Sequence, residues 1–196
     1  MKKKKKENCI IKSVIIGNFG HIVLSFITGI IIHIMANFES LSFYEGFKNA
    51  ILFILFILTL GFWFYMGILS TKYDREDIYK TGIITAIISI LPAAFFTIIS
   101  SVFSIYLRNA DGLTIWNAFY IFGGPTLFWH RPFSFIIQLV VSSGFKGNGY
   151  FIYFIDLLLI ALVIFTGAIF FGTSKNKRIV SEKSFHKNKK ENPIAG

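Results

Sequence analysis

Charge is what this chain has least of. Charged residues fill 15% of its 196 positions, where soluble domains run near a quarter. It has one cysteine, Cys9, so an internal disulfide and a cysteine-based metal cluster are both excluded. Cys9 also precedes the first apolar run instead of following it, unlike a lipoprotein cleavage cysteine. Only one of the four prolines, Pro92, falls inside a long apolar run.

Catalytic signatures are missing too. There is no H-E-x-x-H, G-x-S-x-G, Walker A or dinucleotide glycine pattern. Gly123-Gly124-Pro125 reads as a turn. Ser142-Ser143-Gly144 has no base arrangement for acyl chemistry. No cofactor is implied, and no metal: His21 and His33 are twelve residues apart, which places them on different faces of a helix. The low charge, the lone cysteine and the long apolar runs together exclude an ordinary soluble enzyme, a disordered protein and a disulfide scaffold.

What is present is apolar: 54% of residues, in runs too long for a water-facing helix. Four runs can cross a hydrocarbon core of about 30 Å, which takes roughly 20 helical residues. They are 13–35, 50–70, 82–107 and 150–172. Helices satisfy their own backbone in lipid, so the fold class is an all-α integral membrane protein with four transmembrane helices. The first run is too long for a signal peptide and lacks a small-x-small site after Met35, so it reads as a retained anchor. No internal repeat suggests an inverted-repeat transporter.

Net charge is +10. On a soluble chain that would point to nucleic acid; here the placement argues against it. Sixteen of the 20 basic residues fall in 1–12, 71–81 and 173–196, and only Lys48, Arg108, Arg131 and Lys146 fall between. The positive-inside rule then expects both termini in the cytoplasm. The basic N-tail (1–12) and C-tail (173–196) are expected to be solvated, disordered and drawn to an anionic inner leaflet. The Lys, Ile and Phe bias fits an AT-rich bacterial genome, hence a bacterial cytoplasmic membrane as the cell membrane in question.

Residues 113–144 are too apolar for a solvated loop and too broken to cross once. They read as a re-entrant hairpin or as helices lying on the outer leaflet; two tightly bent crossings would also preserve parity. Within this segment His130-Arg131 can be read as a grip on lipid phosphate or as an interfacial anchor. Phe62-Trp63-Phe64-Tyr65, and Trp116, Tyr120, Trp129, Tyr150 and Tyr153, read as interfacial aromatic belts.

Polar residues inside the runs are the remaining signal. Asn18, His21, Ser25 and Thr28 share one helix face, and Thr85, Ser89, Ser100 and Ser104 make a second stripe with Thr81. Ala161, Ala168 and Gly172 make a small face. Helix packing accounts for such faces; the sharper reading is a lining for a solute path. Pro92 should kink its helix. Asp156 needs water, a proton or a cation this far into a span. An outer polar cluster of Asp156 with His33, Arg108 or Arg131, joined by His130 and Asp111, is the candidate site; a lone aspartate at the water boundary is the plainer reading.

Three function classes follow: a non-catalytic subunit that binds a protein partner or its own copies, a small transporter or channel using the polar faces and Asp156, and a lipid-acting membrane enzyme. They are expected in that order.

Overall fold

The computed structural model describes residues 2–38, 44–71, 77–106, 119–144 and 149–191, with side chains at 9–38, 44–71, 77–103, 121–144 and 149–172. All its described elements are helical. They are α1 (Lys2–Ala36), α2 (Tyr44–Ser70), α3 (Ile78–Tyr106), α4 (Gly124–His130), α5 (Ser134–Ser142) and α6 (Gly149–Glu191). A π-helical turn, Phe119–Gly123, leads into α4, and a 3-10 turn, Arg131–Phe133, joins α4 to α5.

Four helices are long and apolar enough to cross a membrane: Cys9–Ala36, Tyr44–Ser70, Ile78–Phe103 and Gly149–Gly172. Their outward faces are large and apolar. Phe19, Phe26, Leu58, Leu91, Leu158 and Phe170 are each more than half exposed. The interior instead holds His21, Ser25, Thr28, Thr59, Thr85, Ser89 and Thr97 beside its aliphatic and aromatic core. Polar inside and apolar outside is the arrangement a lipid solvent favours.

Several helix ends lie beyond the expected ones. α1 begins at Lys2 and α6 runs to Glu191, so the helices extend into both basic tails. Lysine is a good helix former, and adding a residue to an existing helix is far easier than nucleating one. α2 starts at Tyr44, with Glu45 in its first turn and a Lys48–Glu45 pair at 3.4 Å. Both features suit a helix start. α3 continues through Pro92 without interruption; prolines are tolerated in such helices because neighbouring groups take over the freed carbonyl.

The four long helices alternate in direction. Ser13 Oγ donates to the Met66 carbonyl at 3.4 Å, and Gly17 faces the Trp63 ring, so α1 and α2 are antiparallel. Ser100 bonds Tyr150, while at the other end of α3 Ile78 packs on Gly172, so α3 and α6 are antiparallel. α2 and α6 run side by side. Gly67 lies against the Ile164 backbone, and Thr71 Oγ1 donates to the Ala168 carbonyl at 3.3 Å. Gly167 lies against the Phe64 backbone. Missing side chains let the two backbones approach closely.

The segment from 119 to 144 holds the two short helices α4 and α5, joined through a bend at Arg131–Phe133. Pro125 suits the first turn of α4. Pro132 has no N–H, so regular α bonding yields to the tight turn at Arg131–Phe133. The bend is the buried part: His130 and Phe133 are wholly enclosed, while Ile121, Leu139 and Val141 are exposed. Phe122 stacks on Phe103 near the end of α3, Phe133 meets Phe56, and Phe135 lies over Phe53 and Phe56.

The α2–α6 crossing generates a prediction. Gly167→Val should lower the unfolding free energy in detergent by about 1–3 kcal/mol, the usual cost of overpacking. Gly61→Ala should be neutral or slightly stabilising, because an added Cβ there meets open space. Equal behaviour of the two variants in thermal unfolding would contradict the close approach.

Candidate functional site

Three side chains from three elements meet behind the α4–α5 bend. His130 ends α4 and turns both ring nitrogens inward. Its Nδ1 lies 3.1 Å from Asp156 Oδ2 of α6, and its Nε2 lies 3.2 Å from Thr97 Oγ1 of α3. All three residues are fully buried. The Tyr153 ring, one turn before Asp156, stacks on the imidazole at 4.4 Å. The other carboxylate oxygen, Asp156 Oδ1, has no hydrogen-bond partner among the described atoms.

The His130–Asp156 contact requires one proton. It lies either on Nδ1, which then donates to a carboxylate, or on the carboxyl group, which then donates to Nδ1 of a neutral imidazole; either form satisfies the contact. Pairing spares each group the large cost of standing unbonded away from water.

A second histidine lies beside the first. Trp63 Nε1 donates to His21 Nδ1 at 3.1 Å, and His21 Nε2 meets the Trp129 carbonyl at 2.9 Å. An indole N–H only donates and a carbonyl only accepts. His21 is therefore neutral, with its proton on Nε2. It ties α1, α2 and α4 together at one point, and the Trp129 ring lies 4.2 Å from its own.

The remaining sequence candidates are scattered. His33 is exposed on α1. Arg131 sits against Gly29 of α1 and over the Phe128 ring, away from Asp156. Arg108 and Asp111 lie outside the described residues, as does the side chain of Ser104. Of the two polar faces, Ser25, Thr28 and Thr85 donate to carbonyls four residues back, and Asn18 Nδ2 does so to Val14. Ser89 is fully buried, and Ser100 bonds Tyr150 at 2.8 Å.

One sequence expectation is corrected. Trp63 and Trp129 are not interfacial anchors: Trp63 is fully buried and Trp129 is 8% exposed. Tryptophan favours an interface where its N–H has no other partner; the Trp63 N–H finds His21 inside the bundle. Thr97, Trp63 and Tyr153 were not singled out as site residues. Tyr153 and Asp156 are three apart on α6, a same-face spacing that could have flagged the tyrosine.

Next to the triad is a cavity of about 230 Å³, lined by Ser100, Gly123, Thr126, Leu127, Gly149, Tyr150 and Tyr153. Ser100 is one turn from Thr97, Tyr153 one turn from Asp156, and Thr126 one turn from His130. All three steps lead toward the same end of the bundle. None of Thr97, His130 and Asp156 lines the cavity.

No family model, curated protein or solved structure matches the chain.

The pair makes a graded prediction. Asp156→Ala leaves the His130 Nδ1 without its partner and should cost about 3 kcal/mol or more in detergent unfolding. Asp156→Asn keeps a hydrogen bond to Nδ1 and should cost less than half as much. Equal losses, or none, would contradict a bond that seats the bend.

Proposed function

We propose that the protein is a non-catalytic subunit of a cell-membrane complex, with both termini in the cytoplasm, and that it acts by binding a protein partner. In this reading the hairpin re-enters from the outer side and returns to it. Its contacts support this: they descend from Phe103 to Thr97 and His21, then climb back from Phe56 to Phe53.

The observation that carries the non-catalytic reading is the closure of the triad. Both nitrogens of each buried imidazole are engaged within the protein, and no triad residue faces the cavity. Such groups position a segment; they do not reach a substrate. The back-bonded hydroxyls of α1 and α3 support helix packing over a solute lining. The partner-binding element is the cytoplasmic extension of α6. Its 19 residues beyond Gly172 carry seven Lys and Arg residues over about 28 Å of helix, suited to an acidic partner against an anionic leaflet.

A second reading has one specific observation behind it. Hydroxyl, imidazole and carboxylate stand in the order used by acyl-transfer triads, beside a cavity. A lipid-acting enzyme would use Thr97 as nucleophile, His130 as base and Asp156 as the group that orients it.

Two measurements separate these readings. Purification in mild detergent should yield a stoichiometric partner that is lost when 173–196 are removed. Thr97→Val should leave that complex intact; loss of an ester-hydrolysing activity in the folded Thr97→Val protein would favour the enzyme. The topology has its own test in a Cys9→Ser background. A cysteine at 190 should resist an impermeant maleimide on intact cells, and one at 143 should react. Labelling at 190 would reject the orientation.

A further inference from the structure

The cavity beside the triad has features of its own. Its lining includes Ser100 near the end of the α3 apolar stretch and Gly149 and Tyr150 at the start of the α6 stretch. That is the depth at which hydrocarbon gives way to the polar part of a bilayer. Among the described residues its walls carry four hydroxyl side chains, of Ser100, Thr126, Tyr150 and Tyr153, and no charged one. Ser100 and Tyr150 are bonded to each other at 2.8 Å, and Thr126 Oγ1 donates to the Phe122 carbonyl, which leaves its own oxygen able to accept. Gly123 and Gly149 contribute no side-chain bulk, and Leu127 is 43% exposed in the wall.

The geometry points to a binding site for the glycerol-ester segment of a lipid. The described walls offer hydroxyls and no charge, which suits the uncharged ester and glycerol part of a lipid, since a buried charge requires a partner. A volume of about 230 Å³ is smaller than the roughly 300–1,000 Å³ of sites for drug-sized molecules. It therefore takes part of a lipid, not the whole. Ester carbonyls accept from hydroxyl donors, and glycerol hydroxyls both donate and accept. The acyl chain then leaves past Leu127 toward the apolar exterior. The site rests on the chain residing in a membrane and is independent of the partner-binding reading. The shared chemistry belongs to two sources, a bilayer phospholipid and a free glyceride.

The test uses the full chain in phosphatidylcholine vesicles containing one of two photoactivatable phosphatidylcholines. One carries its diazirine beside the ester carbonyl, the other at the acyl terminus. The ester-proximal probe is expected to label peptides spanning 121–130 and 149–156 about tenfold more than the terminal probe. Gly149→Leu places a side chain where there is open space and should cut that labelling about tenfold with an unchanged unfolding midpoint. Ser100→Ala combined with Tyr150→Phe removes two hydroxyls without adding bulk and should cut it as well. This pair decides the matter if Gly149→Leu fails to fold. Competition by added monoacylglycerol assigns the site to a free glyceride, and its absence assigns it to bilayer phospholipid. Equal labelling by the two probes, or ester-proximal labelling unchanged in the folded variants, overturns the site.

Discussion

Hydrocarbon supplies no hydrogen bonds, so a polar group drawn into it must meet its partner within the protein. The His130–Asp156 contact is where this requirement presses hardest. An aspartate seven residues into an apolar helix and a histidine at the bend between two short helices are each costly alone. Together, with a proton between them, each meets a partner. The rest of the bend is arranged around that pair: Thr97 takes the other imidazole nitrogen, Tyr153 covers its face, and Trp129 passes its carbonyl to His21. Remove the pair, and the segment keeps its bond to His21 and the ring contacts of Phe122, Phe133 and Phe135, but loses its tie to α6 at the bend.

The same requirement sorts the rest of the bundle. Ser25, Thr28, Thr59 and Thr85 turn inward and bond back to their own helices, so they occupy interior faces without needing water. Where α2 and α6 touch, glycines bring backbone to backbone. Large apolar side chains, which would fill the core of a soluble protein, face outward.

Much of this was legible in the sequence, and the reasons are specific. Apolar run length decides whether a helix can span, so 50–70 and 150–172 fall within Tyr44–Ser70 and Gly149–Gly172. Cost alone marks Asp156 as a residue needing a partner. Which partner it meets was only partly legible: spacing defines a face, not which face of another helix it meets, and the sequence put His33, Arg108 and Arg131 ahead of His130 and Asp111. His130 prevails over His33 because the bend that carries it is buried, while His33 on a continuous helix points out. Trp63 was misread because its place near the end of a span is also that of an interfacial aromatic. Only the position of His21 across the helix boundary distinguishes the two. Thr97 looked like any other membrane-helix threonine.

The chain order of the pair has a consequence for biogenesis. Synthesis runs from the N-terminus, so His130 is made 26 residues ahead of the acid it bonds. Until α6 arrives, the bend has no carboxyl group to bond its imidazole, and the gap between α1, α2 and α3 lacks its fourth wall. The contact that fixes the bend to α6 therefore forms only once residue 156 is present, and a chain truncated before it would lack that contact.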